Sequence, residues 1–136
     1  MTDTKERTFG NATNSKKKGD IGLGVAIGYF TEKGYTVSIP LTDSQDYDLI
    51  VDIPDVGIKR VQIKTTEYKT KHGIYTINLS VKGGNRSFNT IKKFNWKNSD
   101  YLFVYTCDKR RFFIPTWETM PKGAMNLGKD KEKYRV

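Results

Sequence analysis

Residues 47–66 carry the strongest structural signal in the chain: Tyr47-Asp48-Leu49-Ile50-Val51-Asp52-Ile53, then Pro54-Asp55-Val56-Gly57, then Ile58-Lys59-Arg60-Val61-Gln62-Ile63-Lys64-Thr65-Thr66. In both outer segments β-branched and apolar residues alternate with polar ones, the period of a strand with one buried face. The Pro-Asp-Val-Gly segment between them has turn chemistry, so the two strands are expected to form a hairpin. Side chains two apart on a strand share a face, which puts Gln62 and Lys64 together, and the neighbouring strand can carry Asp48 to the same face. A carboxylate, an amide oxygen and an ammonium would then converge, an arrangement suited to a hard divalent cation and a phosphate.

Outward from this hairpin, composition narrows the partner. The chain has 136 residues, enough for one compact domain with a modest core, and a net charge of +9 from 24 basic and 15 acidic residues. Such an excess favours a polyanion, with nucleic acid the leading candidate. No stretch has the length and apolarity of a membrane span or a secretory leader, so a soluble, cytoplasmic chain is expected, with no membrane partner. A single cysteine, Cys107, and a single histidine, His72, exclude an internal disulfide and a zinc centre built on Cys and His. Cys107 ends the apolar run Tyr101–Thr106 and reads as a small buried hydrophobe.

Residues 1–15, poor in large apolar groups, read as a flexible N-terminal arm, and residues 16–136 as one domain. Lys16-Lys17-Lys18 closes the arm, either as a solvated tether or as a phosphate contact. Asp20 precedes an apolar helical stretch that ends near Lys33-Gly34, so it reads as the helix N-cap, with metal binding the other reading. Gly22 and Gly24 weaken that helix, which points to a close backbone approach by a strand or another subunit. Strands are expected at residues 35–39, 47–53, 58–67, 74–81, 100–107 and 111–115. A turn is expected at Asp108-Lys109-Arg110, and Thr116 is expected to cap a short helix through Met120.

The order of Lys18-Gly19-Asp20-Ile21, Ser38-Ile39-Pro40-Leu41, Tyr47-Asp48-Leu49 and Gln62-Ile63-Lys64 resembles the PD-(D/E)XK nuclease superfamily. Within it, the group I intron-encoded homing endonucleases also carry Gln in place of the second acid. The likeness covers roughly residues 17–120. It implies an α/β fold, a restriction-endonuclease-like domain in which a mixed β-sheet is flanked by helices. It also implies a homo-oligomer, dimer or tetramer, because one small domain carries one site and cutting both strands needs two. In the homing relatives a helix Glu, three residues after the Asp of the Gly-Asp-Ile element, completes the site; Leu23 stands there in this chain.

These readings combine into a metal-dependent DNA endonuclease. Asp48 would be the principal ligand of Mg²⁺, with Mn²⁺ able to substitute; aspartate is depleted from strands, which favours ligand over a satisfied polar residue. The Gln62 side-chain carbonyl and the Ile63 main-chain carbonyl would add neutral oxygens, and Lys64 would orient water or stabilise charge on the phosphoryl group. Asp46 and Asp52 share the parity of Asp48 and serve as its mutational controls. Contacts to double-stranded or branched DNA are expected from Lys16, Lys17, Lys18, Lys69, Lys71, Lys82, Arg86, Lys92 and Lys93, with His72 and Lys97 nearby. Tyr68, Phe88, Phe94 and Trp96 are interleaved as stacking platforms or core residues. The rival readings are a Holliday-junction resolvase and a non-catalytic nucleic-acid-binding module on the same fold.

Overall fold

In the computed structural model, which describes residues 9–82, 91, 92 and 94–136, the expected hairpin is the centre of the architecture. Strand β2 (Leu49–Ile53) pairs antiparallel with β3 (Gly57–Thr66), Leu49 opposite Val61 and Ile53 opposite Gly57. The turn between them uses positive φ at Asp55 (65°) and Gly57 (110°), backbone that Gly tolerates freely and Asp more readily than most residues. β1 (Thr36–Ser38) adds to the β2 edge.

Beyond β3 the sheet changes direction. β7 (Tyr101–Thr106) runs parallel to β3, and β8 (Arg111–Pro115) returns antiparallel, giving the mixed order β1-β2-β3-β7-β8. β7 reads as an unbroken apolar run because both of its faces are covered. Phe103 faces the first helix, α1 (Ser15–Glu32), in a cluster with Ala26, Phe30, Leu49, Val51, Ile53 and Val61. Leu102 and Val104 face the opposite layer, where they meet Phe112, Ile114, Tyr75, Ile77, Leu79, Met125 and Leu127. Much of that second layer comes from β4 (Thr76–Asn78) paired with β9 (Ala124–Asn126). β5 (Val81–Lys82) and β6 (Ile91–Lys92) form a separate two-stranded ribbon. Cys107 is half-buried against this second cluster, 3.2 Å from the Tyr75 hydroxyl.

Several boundaries depart from the sequence reading. α1 begins at Ser15, capped by Asn14, whose side chain accepts the Lys17 N–H at 3.0 Å. Asp20 therefore lies inside the helix and is not its cap: asparagine fills the cap position well, and the lysine run continues in helix rather than tether. Of the expected arm, residues 1–8 fall outside the described residues, whereas Phe9 is 4% exposed and its ring lies 6.1 Å from that of Tyr105. The expected strand 74–81 is interrupted where the Asn78 side chain accepts the Ser80 N–H in a local turn. Thr116 does not cap α2 (Thr116–Thr119); Pro115 holds that position, and the Thr116 hydroxyl donates to the Ser99 and Asp100 carbonyls. The close approach signalled by the glycines is made by Gly22 alone, to β3: a Cβ there would sit 2.5 Å from Thr65 Cγ2, while Gly24 has open space. Among the described residues no helix is long and apolar enough to cross a membrane.

Candidate active site

The motif residues meet where β2 and β3 part. β2 ends its pairing at Leu49, but β3 continues to Thr66 beside β7, so the β2 edge of residues 63–66 opens into a fork. In β3 the carbonyls of Arg60 and Thr66 accept from the β7 side, whereas the Val61 carbonyl accepts the Asp48 N–H at 2.9 Å. Alternation then turns Ile63 toward the fork, and its N–H donates to Asp48 Oδ2 at 2.8 Å. A strand residue presents its N–H and C=O to the same neighbour, so the Ile63 carbonyl opens on the fork as well.

One step beyond the Leu49–Val61 pair, Asp48 stands opposite Gln62 on the face turned away from α1. Lys64 shares that face, and β4 lies over it, tied down by the Thr66 hydroxyl donating to the Thr76 carbonyl at 2.6 Å. α1 closes the other side. A cleft of about 660 Å³ results, lined by Lys16, Gly19, Asp20, Leu23, Asp48, Ile63, Lys64, Thr65 and Asn78.

Burial gives this cleft its electrostatics. Withdrawal from water lowers the pKa of Lys64, and the nearby Asp48 carboxylate partly opposes that shift. Gln62 does not line the cleft. Its Oε1 is buried with no hydrogen-bond partner, a state that costs about 1–3 kcal/mol for a polar group. A carbonyl oxygen without a hydrogen-bond partner among the described residues, on the strand position opposite Asp48, belongs to a donor set that a hard cation would satisfy. Among the described residues no cluster of three or more His, Cys, Asp or Glu side chains could hold a metal ion. Any ion at the fork would therefore rest on one or two carboxylates and neutral carbonyls, as Mg²⁺ does when phosphate and water complete its shell. The residues fit that ion.

Leu23 both lines the cleft and packs against the α1-side core cluster. Asp20, one turn earlier on α1, is exposed on the same wall. Asp46 proves unsuitable as a control: its Oδ2 accepts from Asn98 Nδ2 at 2.7 Å and its carbonyl from the Ser99 hydroxyl at 3.4 Å, so it holds the segment leading to Asp48. Asp52, exposed on β2, remains a sound one.

The basic residues divide. Lys16 and Lys17 stand exposed in the first turn of α1, and Lys69 and Lys71 are exposed beyond β3. Lys69 lies 4.8 Å from the Tyr75 ring centre. Lys18 is engaged by Glu67. Arg86, Lys93 and Phe88 fall outside the described residues, as do the side chains of Lys82 and Lys92. His72 is exposed in a turn closed by Gly73 N–H to the Thr70 carbonyl at 2.9 Å. Phe94 packs on the core, Tyr68 is 70% exposed, and Lys97 is exposed with Nζ 5.8 Å from the Trp96 ring centre. Among the cleft residues the sequence assigned no site role to Gly19, Thr65 or Asn78; for Asn78 a polar Asn within an expected strand was the only signal, since strands disfavour it.

No curated protein matches the chain. Among solved structures, a bacterial homing endonuclease, I-Ssp6803I, shares the fold, with a TM-score of 0.74 and 24% identity over 90% of this chain and 89% of its own. The family model described as PD-(D/E)XK endonuclease matches residues 13–133, from just before the cap of α1 to beyond β9, a span that includes every residue of the cleft. By that match, the chain belongs to the PD-(D/E)XK endonuclease family.

Proposed function

We propose that this chain is a Mg²⁺-dependent DNA endonuclease that hydrolyses phosphodiester bonds in the manner of a homing endonuclease, with Mn²⁺ able to replace Mg²⁺. The observation that carries this reading is the fork itself, lined by Asp48, Ile63 and a desolvated Lys64, with the Gln62 oxygen on the strand position opposite Asp48 buried without a hydrogen-bond partner among the described residues. Asp48, Gln62 and the Ile63 carbonyl would hold the ion, with Asp20 as a further ligand from the helix wall. When bound, Mg²⁺ supplies Lewis acidity toward the phosphate and the attacking water. The Ile63 N–H fixes Asp48 Oδ2, which orients the carboxylate before substrate arrives. Lys64, poorly solvated, has its charge concentrated on whatever anion enters and so stabilises the phosphoryl oxygens as negative charge builds there. Lys16, Lys17, Lys69 and Lys71 would bind flanking phosphates. One cleft serves one strand, so the reading includes assembly into a homo-oligomer for double-strand cutting.

One observation favours a second reading. Leu23 presents an apolar side chain to the cleft, which is what a non-catalytic DNA-binding module on this fold would tolerate. Purified protein is incubated with a plasmid library carrying random inserts, and separately with a four-way junction, in Mg²⁺, in Mn²⁺ and in EDTA. Metal-dependent nicking or linearisation of plasmid is expected. Cutting confined to the junction would move the assignment to a resolvase, and binding without any cutting would leave only the module.

A further inference from the structure

We propose that Asn78 is a substrate-contacting residue, which donates its side-chain N–H groups to an oxygen of the phosphate held in the cleft. The inference rests on the nuclease reading and adds to it a residue outside the Asp…Gln-x-Lys motif. Asn78 reaches the cleft from β4, the strand that covers the Lys64 face, and it lines the same cleft as Asp48 and Lys64. Its backbone is well held. Next to it Ile77 is 2% exposed in the core, the Thr76 carbonyl accepts from Thr66, and the Thr76 N–H donates to the Tyr68 carbonyl at 3.0 Å.

The direction of the amide follows from the one hydrogen bond it makes among the described residues. Of the two ends of the amide only the oxygen can accept from a main-chain N–H, so the bond from Ser80 N at 3.0 Å identifies Oδ1 and commits it to the backbone. What remains is a donor group with two hydrogens. The charged groups lining the cleft are the cations Lys16 and Lys64 and the carboxylates Asp20 and Asp48. Against that background a neutral donor strengthens anion binding without competing with a cation for the carboxylates, and a hydrogen bond to a charged phosphate is stronger than one between neutral groups.

The local turn is a purely structural role for the same residue, and the test must separate the two. Asn78→Asp and Asn78→Ser each keep an oxygen able to accept the Ser80 N–H while removing the amide donors. Both are expected to melt within a degree or two of wild type. Asn78→Ser should cut about 100-fold more slowly, the lower end of the range for losing one positioned donor, and Asn78→Asp more slowly still because its carboxylate also repels the phosphate. Asn126→Asp, at an exposed position of β9 outside the cleft, introduces the same charge as a control and should cut near the wild-type rate. Wild-type cutting by both Asn78 variants, or an equal loss in Asn126→Asp, overturns the proposal. Asp48→Ala is assayed alongside. If wild type leaves every substrate uncut, or Asp48→Ala cuts as well as wild type, the nuclease reading falls and this inference with it. If cutting needs Asp48 but is indifferent to Asn78, this inference alone falls.

Discussion

Asp48 and Lys64 occupy one wall of the cleft, yet replacing them should affect stability in opposite ways. Asp48→Ala removes the acceptor of the Ile63 N–H and should cost about 1 kcal/mol as well as all metal-dependent cutting, whereas Asp48→Asn, which keeps an acceptor, should lose cutting with little change in melting. Lys64→Met should also lose cutting but melt higher at neutral pH, because desolvation of the ammonium outweighs its attraction to Asp48. The sign follows from linkage: a lysine whose pKa is lower folded than unfolded binds fewer protons when folded, so its penalty is present at low pH and fades as pH rises through the folded pKa toward 10.5. The advantage of Lys64→Met should shrink over the same range. A lower melting temperature at neutral pH would show that the ion pair outweighs desolvation. At Leu23, which meets both solvent and core, Leu23→Glu should cost some stability from lost packing yet raise the cutting rate by placing a second carboxylate on the helix wall near Asp20. Melting and nicking measured on one preparation decide it; a stable variant with no gain would detach this position from the chemistry.

The helix stands where it does because of Gly22. Alanine there would gain about 1 kcal/mol of helix propensity, but its Cβ would lie 2.5 Å from Thr65 Cγ2 and 3.3 Å from Ile63 Cγ2. Both are methyls on β-branched side chains with little rotamer freedom, so the clash should prevail, at about 1–3 kcal/mol. Because the two residues crowded are on the site-bearing half of β3, Gly22→Ala is expected to lower both the melting temperature and the cutting rate. A thermal melt showing stabilisation would mean that α1 can move away freely. The ion pair of Lys18 with Glu67 fastens the same helix to the end of β3, which separates its role from that of its neighbours.

That separation shows in how the whole molecule should meet DNA. Each lysine that neutralises a phosphate releases counterions and contributes about 0.9 to the slope of log K against log salt. Lys16→Ala and Lys17→Ala, both exposed in the first turn and without an ion pair among the described residues, should each reduce that slope by roughly one. Lys18→Ala should leave the slope nearly unchanged and lower the melting temperature instead. Binding titrations at several salt concentrations test this; a slope change at Lys18 equal to that at Lys16 would place Lys18 on the DNA.

The hairpin and the sheet faces were legible in the residues because period-two alternation in 47–66 is local information, and the apolar run 101–106 announced a strand, whose cover on both sides the packing then added. Charge pointed to a polyanion, and the spacing of Asp48 and Gln62-Ile63-Lys64 placed a carboxylate and an ammonium on one face. What lay beyond local reading depended on contacts far apart in the chain. Asp46 looked like an equivalent of Asp48 until Asn98, 52 residues away, was seen to hold it. Lys18 looked like its neighbours until Glu67 engaged it. The parallel pairing of β3 with β7 brings together strands separated by β4, β5 and β6, and no alternation within either strand reveals that neighbour. The cleft exists only because α1 and β4 cover opposite faces of the same fork. Asn78 belongs to it through that packing, which is why a motif confined to two strands could not include it.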